Sequence, residues 1–296
     1  MQEPFSERHG ARIHSALHAA VAVATSSARC PPRLARALQY AVFPGGGRLR
    51  PQLCLAVADV CGDSDPVLTD AMGVAIELVH CASLVHDDMP CFDDAATRRG
   101  RPSVHRAFGE PTALLVGDAL IVFAFETLAR AADSESSAMR VLRLTRVLAA
   151  ATGAERGIVA GQAWELEPKA SLAVYHQAKT ASLFEAATLG GAIAAGAGDD
   201  AAWASFGHAL GAAYQVIDDI VDATGDEGAA GKPVGRDAAL DRPSAVRELG
   251  LDGARSRARE QLEQAMECLP ATANGDRVRA WVRGAVDPSL LRSFAA

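Results

Sequence analysis

Two aspartate-rich segments, each inside an apolar helical run, constrain this chain of 296 residues more than any other feature. The first aspartate segment, residues 84–94, reads LVHDDMPCFDD, and the second aspartate segment, residues 214–222, reads YQVIDDIVD. Carboxylates beside leucine, valine and isoleucine are costly to bury unless another group neutralises their charge. One such segment would be typical of a solvated helix end, whereas two indicate a shared partner. We therefore expect both segments to face one site, where hard divalent cations hold a polyphosphate.

The composition predicts an all-α protein in a single domain of residues 1–296. Alanine is abundant, aromatic residues make up 5% of the chain, and alternating β-branched runs are scarce. The length would allow two domains, but no linker rich in serine, glycine and proline divides the chain. A glycine-rich loop is expected from Thr224 to Asp241. Helices are predicted at 4–25, 33–43, 50–61, 68–89, 112–132, 138–152, 155–164, 171–197, 201–223, 243–249 and 253–268.

Charge, apolar runs and cysteines exclude several classes of protein. The formal net charge is −7 and lysine and arginine form no long run, so nucleic-acid binding is not expected. We expect no membrane span, which would take roughly 20 apolar residues. The first residues lack the apolar core of a signal peptide, so we expect a cytoplasmic protein. The six cysteines form no CxxC pair, which predicts reduced thiols and no zinc site.

Helical spacing predicts which side chains share a face with the first aspartate segment. Upstream of Asp87, the spacing places His80 and Ser83 on one stripe that leads to it. A straight helix would not align Asp87 with Asp93. Pro90 must therefore bend or break the helix to bring these two carboxylates together.

The second aspartate segment shows no such break. Asp218 and Asp222 are four positions apart, so they lie on one helical face, which Gln215 shares. Asp219 flanks that face. We therefore expect a straight helix that presents two carboxylates and one amide to the site.

A polyphosphate also needs fixed cationic side chains. Arg98 and Arg99 follow the first segment closely, and guanidinium groups suit phosphate oxygens. Lys179 and Lys232 are two of only three lysines in the chain, and Lys232 lies in the glycine-rich loop. That loop lacks the GxxxxGK[ST] spacing, which excludes a kinase or NTPase of the P-loop type. Because the carboxylates come in clusters, metal-assisted departure of diphosphate explains them better than glycosidase chemistry.

With these residues in this order, the chain resembles the trans-isoprenyl diphosphate synthases, which carry two such aspartate-rich motifs. The resemblance extends from about residue 34 to residue 247. Within the family it is strongest to the bacterial geranylgeranyl diphosphate synthases of carotenoid pathways. Further motifs match in order: GGGRLRP at 45–51, DDAATRRGRPS at 93–103, Gly117-Asp118, Lys179-Thr180 and GKPVGRD at 231–237.

The resemblance implies an isoprenoid-synthase-type helical bundle around a central active-site cavity, usually in a homodimer. It implies a prenyltransferase that condenses isopentenyl diphosphate with an allylic diphosphate. About three magnesium ions per site would be bound. Asp87, Asp93 and Asp218 would be direct ligands, and Asp88, Asp219 and Asp222 would ligate the ions or orient waters. The allylic diphosphate would contact Arg98, Lys179 and Lys232, the isopentenyl diphosphate would contact Arg50, His80 and Arg99, and the developing cation would face Thr180 and Gln215.

Two further features bear on affinity and product length. Gly47 stands where the family commonly has a lysine that contacts isopentenyl diphosphate, so either Arg48 or Arg50 compensates or the affinity is lower. Ser83 and Ala82 are small where synthases of fifteen-carbon products commonly place an aromatic residue, which predicts a twenty-carbon product. The floor is then expected lower on the same helix, at Ile76, Leu78 and Val79, with Phe123 or Phe125.

Alternatives remain open from the sequence. A farnesyl or medium-chain polyprenyl diphosphate synthase would share these motifs and differ in product length. A non-catalytic regulatory subunit is favoured only by Gly47, and both complete aspartate segments oppose it. A terpene cyclase normally lacks the second segment in this form. An HD-type phosphohydrolase, suggested by His86-Asp87, would need further metal ligands.

Overall fold

The computed structural model describes residues 5–43, 46–167, 171–224, 243–272 and 274–285, and it confirms the all-α prediction. Within these residues the one sheet is a hairpin of two short strands, β1 (Thr97–Arg98) and β2 (Arg101–Pro102). Most of the predicted glycine-rich loop, with Lys232, lies outside the described residues. The helices are α1 (Phe5–Thr25), α2 (Pro32–Val42), α3 (Leu49–Val60), α4 (Pro66–Asp87), α5 (Val104–Phe108), α6 (Glu110–Arg130), α7 (Glu135–Thr152), α8 (Ile158–Trp164), α9 (Leu172–His176), α10 (Ser182–Ala194), α11 (Asp200–Thr224), α12 (Ala245–Cys268) and α13 (Gly275–Ala285).

Helix α4 lies at the centre of the fold because it is apolar on nearly every side. It begins where the side chain of Asp65 accepts a hydrogen bond from the backbone N–H of Leu68 at 3.1 Å, and Pro66 occupies its first turn. It packs against α3, α6 and α10. Helix α4 ends at Asp87, before Pro90. Its last residue is therefore the first aspartate of the first aspartate segment.

Small residues bring α10 close to its neighbours. A Cβ atom built on Gly191 would lie 2.3 Å from the carbonyl oxygen of Cys54 in α3, and one on Gly190 would lie 2.6 Å from Cε of Met72 in α4. No side chain fits at either position unless a neighbour moves. These glycines therefore allow the close contact between α10 and the core helices.

The helix predicted over 171–197 is not continuous, because a π-helical turn, Gln177–Ala181, separates α9 from α10. Neighbouring helices approach this turn closely. A Cβ atom on Gly161 of α8 would lie 2.5 Å from Cα of Lys179, and one on Gly211 of α11 would lie 2.5 Å from Cα of Ala181. Such turns are frequent at functional sites. The π-helical turn therefore lies where α8 and α11 pack against the chain from two sides. Helical periodicity in the sequence does not reveal these contacts.

Two helices, α4 and α6, are long and apolar enough to cross a membrane by length and composition, which corrects the expectation that no segment qualifies. In α4, 72% of the most apolar window is buried inside the fold, as in a core helix, whereas in α6 the buried share is 33%. Leu114, Leu115 and Val122 are exposed along α6. An apolar face exposed to this extent is typical of an interaction surface.

Replacing Gly191 by alanine should lower the free energy of unfolding by about 1–3 kcal/mol, since the added methyl group would meet the backbone of α3. Gly284→Ala is the matched control, because Gly284 is also helical and a Cβ atom there meets nothing within 4 Å. Alanine at that position should be neutral or stabilising by up to about 1 kcal/mol. Urea unfolding followed by circular dichroism measures both changes. Equal stability of the two variants would contradict the close packing of α10 on α3.

Candidate active site

Both aspartate segments face one cavity of about 220 Å³, as the sequence predicts. The cavity lies among α4, α8, α10, α11 and the π-helical turn. A larger cavity of about 820 Å³ lies between α11 and α12 and contains no aspartate of either segment. The predicted residues that line the smaller cavity are Arg50, His80, Ser83, Asp87, Asp93, Arg98, Lys179, Thr180, Gln215, Asp218 and Asp222. Those that do not line it are Asp88, Arg99, Asp219, Ala82 and Val79, while Lys232 lies outside the described residues.

The chain reverses direction immediately after α4. The backbone N–H of Asp93 donates to the carbonyl oxygen of Asp87 at 3.0 Å, and the N–H of Ala95 donates to that of Asp88 at 3.1 Å. These bonds satisfy carbonyl groups that the end of the helix leaves without intrahelical partners. They bring Asp93 to the same cavity as Asp87, and the predicted break at Pro90 is confirmed.

The two adjacent aspartates at the end of α4 have different surroundings. The carboxylate of Asp88 accepts hydrogen bonds from Nε of Arg98 at 3.0 and 3.2 Å. Burial raises the pKa of Asp88 to about 6, against the opposing effect of Arg98. In Asp87, by contrast, Oδ1 is buried without a hydrogen-bond partner, and Oδ2 lies 3.7 Å from Nη2 of Arg98. These contacts favour Asp87 as a cation ligand, whereas Asp88 orients Arg98.

The second aspartate segment lies on α11, a continuous helix as predicted. Asp218 and Asp222 line the cavity together with Gln215. The side chain of Asp219 is 1% exposed and accepts hydrogen bonds from Nε2 of Gln215 and from the backbone N–H of Ala245. Asp219 therefore corresponds to Asp88: in each segment the second aspartate binds protein groups while the first and a later one line the cavity.

The π-helical turn carries Lys179 and Thr180 into the cavity. The hydroxyl of Thr180 donates to Oε1 of Gln215 on α11. Gly161 and Gly211 allow the flanking helices to hold the turn at short distance. The backbone geometry of two helices and one turn thus determines where the ammonium and hydroxyl groups lie.

Glu165, which follows α8 and whose side chain is almost fully buried, was not among the predicted site residues. It forms an ion pair with Lys179. It also accepts hydrogen bonds from the hydroxyl of Tyr175 at 2.7 Å and from Nε2 of Gln162 at 3.1 Å. The two aspartate segments were identified as acids within apolar helical runs. Glu165 also follows an apolar helical run, but as a single acid and not as part of a cluster, so its sequence signal is weaker. Gln162 and Tyr175 belong to the cavity lining.

Arg50 and His80, both predicted to bind isopentenyl diphosphate, lie together in the cavity lining. Cζ of Arg50 lies 4.9 Å from the ring centroid of Phe184 and 5.7 Å from that of Tyr214, within the range of cation–π contact. Burial lowers the pKa of His80 well below its ordinary value, and the charge of Arg50 lowers it further. These surroundings favour the neutral imidazole of His80, which has one donor and one acceptor nitrogen.

Arg48 does not take the place of a lysine at position 47. Its side chain is 9% exposed, pairs with Glu77 of α4 and donates to the carbonyl oxygen of Val42. A Cβ atom on Gly47 would meet nothing within 4 Å, so that position is open. Of the two arginines expected to compensate, Arg50 lines the described cavity and Arg48 does not.

Arg99 lies in a crevice beside the cavity and not in its lining. It and Gly100 have φ angles of 54° and 72°, which a two-residue hairpin turn of the left-handed type requires. The guanidinium of Arg99 packs over Gly46, where a Cβ atom would lie 3.0 Å from its atoms. Arg101 holds the hairpin on α2, with Cζ 3.8 Å from the ring centroid of Tyr40.

The residues predicted to set product length divide between the cavity and the core. Ser83 lines the cavity. Ala82 and Val79 are 1% and 0% exposed and belong to the hydrophobic core, and the described cavity does not reach them. Its apolar wall includes Ile158 of α8 and Leu183 of α10, which helical spacing on α4 does not reveal.

The donor set of the cavity fits a hard divalent cation. Four aspartate side chains reach it and its described lining contains no cysteine, and magnesium prefers oxygen ligands. Among the described residues, no three acidic, histidine or cysteine side chains converge closely enough to form a metal site by themselves. A cation would therefore take further ligands from water and substrate oxygens, as magnesium usually does. The buried, unpartnered Oδ1 of Asp87 is suited to such a ligand role.

Comparison with known proteins agrees with this geometry. Residues 31–283 match the family model described as polyprenyl synthetase. The chain belongs to the polyprenyl synthetase family. The geranylgeranyl diphosphate synthase of Cereibacter sphaeroides is 52% identical over 88% of this chain and 89% of its own length. That of Rhodobacter capsulatus is 49% identical over the same shares. The family resemblance that the motifs indicated is confirmed.

Solved structures share the fold of this polyprenyl synthetase. An FPP/GFPP synthase from Zymomonas mobilis has a TM-score of 0.79 and 30% identity, over 95% of this chain and 99% of its own. A geranyltransferase from Helicobacter pylori, complexed with magnesium and isoprenyl diphosphate, has a TM-score of 0.75 and 29% identity, over 100% and 96%. The predicted isoprenoid-synthase-type bundle is therefore confirmed.

Proposed function

We propose that this polyprenyl synthetase is a magnesium-dependent prenyltransferase. It condenses isopentenyl diphosphate with dimethylallyl, geranyl or farnesyl diphosphate to give all-trans geranylgeranyl diphosphate. The observation that carries the proposal is the single cavity onto which both aspartate segments, Lys179 and Arg98 converge. Carboxylates opposite basic side chains suit a diphosphate that is bound partly through cations. The geranylgeranyl diphosphate synthases at about half identity support the choice of product.

The two diphosphates would occupy different parts of the site. Lys179 and Arg98 donate hydrogen bonds to the allylic diphosphate, and Arg50 and His80 bind isopentenyl diphosphate. When bound, magnesium neutralises charge on the departing diphosphate. The chain would hold it through the four carboxylates that line the cavity, those of Asp87, Asp93, Asp218 and Asp222.

The reaction begins when the bond between the allylic carbon and the diphosphate oxygen breaks, and the electron pair leaves with the oxygen. Oxygen atoms of Thr180 and Gln215 face the developing allylic cation with the negative ends of their dipoles. The double bond of isopentenyl diphosphate then attacks that cation and forms the new carbon–carbon bond. A proton leaves the adjacent carbon and is taken by the released diphosphate, so the step requires no side-chain base.

Replacing Asp87 or Asp218 by alanine should lower the condensation rate by about a hundredfold or more, since the leaving diphosphate loses charge neutralisation. The rate is measured with labelled isopentenyl diphosphate, farnesyl diphosphate and saturating magnesium, and circular dichroism checks the fold. Asp252→Ala is the control, because that side chain is 98% exposed and its loss should not change the rate. Undiminished turnover by Asp87→Ala would refute the cavity as the catalytic site.

Product length gives a second test, because Ser83 is small and lines the cavity. Ser83→Phe would place a ring in the path of the growing chain and should shift the main product from twenty to fifteen carbons. Ser83→Ala, which adds no volume, should keep the twenty-carbon product. Chromatography of the dephosphorylated products measures both. A wild-type product of fifteen carbons, or one longer than twenty, would favour the farnesyl or medium-chain alternative.

Gly47→Lys tests whether the missing lysine limits affinity. The position is open to a side chain, and one added charge-assisted contact contributes about 2 kcal/mol. The KM for isopentenyl diphosphate should therefore fall about thirtyfold, with little change in kcat. Gly47→Gln, which has similar length and no charge, should leave the KM nearly unchanged. The same KM in both variants would mean that no phosphate lies within reach of position 47.

We also propose that α6 forms the interface of a homodimer. Leu115 and Val122 are seven positions apart, hence on one helical face, and they are 56% and 63% exposed. A second copy would bury this apolar face around a twofold axis. Burial in a dimer interface would explain why only 33% of the most apolar window of α6 is covered within one chain. No membrane is then needed to cover this face, which agrees with the expected cytoplasmic location.

Val122→Glu should convert the dimer to monomers in size-exclusion chromatography with light scattering, because it would bury an unpaired charge in the interface. Val67→Glu is the matched control, since Val67 is 64% exposed and belongs to the first turn of α4, a different helix. That variant should remain dimeric. A wild-type monomer, or an unaltered dimer in Val122→Glu, would contradict the interface.

A further inference from the structure

The carboxylate of Asp219 is enclosed on the side of α11 that faces α12. Its Oδ1 accepts a hydrogen bond from Nε2 of Gln215 at 2.8 Å, and its Oδ2 accepts one from the backbone N–H of Ala245 at 2.7 Å. Nε2 of His176 lies 3.2 Å from the same Oδ2. Both oxygens of Asp219 are therefore engaged by the protein, and neither belongs to the cavity lining.

The contact with Asp219 determines the orientation of the Gln215 amide. A carboxylate only accepts hydrogen bonds, so it must face the NH₂ group of the amide. Oε1 of Gln215 then points to the other side, where the hydroxyl of Thr180 donates to it. Since the two ends of an amide have nearly the same shape, Asp219 is what keeps the oxygen end towards the cavity.

His176 connects this arrangement to the turn that carries Lys179 and Thr180. It is the last residue of α9 and directly precedes the π-helical turn. Its Nε2 is buried and makes no hydrogen bond of good geometry, but it packs 3.2 Å from Oδ2 of Asp219. The imidazole, at the end of α9, therefore restricts the position of the same carboxylate oxygen that accepts from Ala245 of α12.

We propose that Asp219 and His176 are positioning residues of the prenyl transfer, and that Asp219 is not a magnesium ligand. They act through Gln215, whose amide oxygen they keep directed at the developing allylic cation. The inference rests on the proposed function, because the orientation matters only if a cation forms next to Gln215. It separates Asp219 from Asp218 and Asp222, which line the cavity.

Asp219→Asn is the most informative variant because it keeps the size of the side chain and removes its acceptor-only character. When the asparagine oxygen accepts from Ala245, its NH₂ group faces Gln215 and forces that amide to turn. The NH₂ group of Gln215 then faces the allylic cation. The kcat should fall about tenfold to a hundredfold, while the magnesium concentration that gives half-maximal activity stays the same.

Asp222→Asn is the matched control for the role of the metal. It changes an aspartate of the same segment that lines the cavity, so it should raise the magnesium concentration for half-maximal activity several-fold. A similar rise in Asp219→Asn would overturn the proposal, because it would make Asp219 a ligand.

A double-mutant cycle with Gln215→Ala tests whether Asp219 acts through the amide. In the Gln215→Ala background, Asp219→Asn should lower kcat by less than about twofold, since no amide remains to be turned. Additive losses would overturn the proposal. If Asp219→Asn fails to fold, His176→Gln undergoes the same cycle, with an expected loss of about threefold that also disappears without Gln215. Measurable wild-type condensation is the reference, and its absence would instead overturn the proposed function.

Discussion

Repulsion between carboxylates that face one cavity is the constraint on which the rest of the site depends. The acids come from the end of one helix, the turn after it and the face of another helix, and they share about 220 Å³. Charges of one sign around one cavity repel each other. Arg98 and Lys179 offset part of this, and cations that arrive with the substrate would offset the rest. Binding of a diphosphate with its counter-ions would therefore relieve this repulsion.

A second set of acids holds the basic groups and the amide of this site. Asp88 orients Arg98, Glu165 pairs with Lys179, and Asp219 faces Gln215. Each of these acids is almost fully buried, and the loss of any one would leave Arg98, Lys179 or Gln215 without a hydrogen-bond partner. The carboxylates that line the cavity are suited to bind cations. Those of Asp88, Glu165 and Asp219 keep the donor groups in place before the substrate arrives. Such preorganisation is how a polar site stabilises charge without rearranging during the reaction.

The helical spacing of side chains, together with the positions of proline and glycine, was enough to predict much of this arrangement. The helix must end before Pro90 because the pyrrolidine ring clashes with the preceding turn and proline has no backbone N–H to donate. The alignment of Asp218 with Asp222 follows from helical spacing. Even the kink of α12 at Gly250, with φ 70°, lies where the sequence separates two predicted helices. All of these features are local, so the chain itself encodes them within a few residues.

The features that the sequence did not reveal depend on contacts between distant segments. Arg48 was a candidate for substrate binding until its pairing with Glu77 was visible, 29 positions away. The π-helical turn interrupts a predicted helix where glycines of two other helices approach it. Likewise, the different roles of Asp218 and Asp219 follow from what surrounds α11. Helical spacing shows which side chains share a face, whereas the neighbours of each face are set by tertiary packing.

The central claim is that one cation-dependent cavity extends allylic diphosphates to a twenty-carbon product. Its most direct measurement incubates the purified chain with labelled isopentenyl diphosphate and, in separate reactions, dimethylallyl, geranyl and farnesyl diphosphate. Each reaction is run with magnesium and with a chelator, and the products are sized by chromatography. We expect all three primers to converge on geranylgeranyl diphosphate with magnesium and to remain unextended with the chelator. No extension of any primer with magnesium, or equal extension without it, would contradict the account.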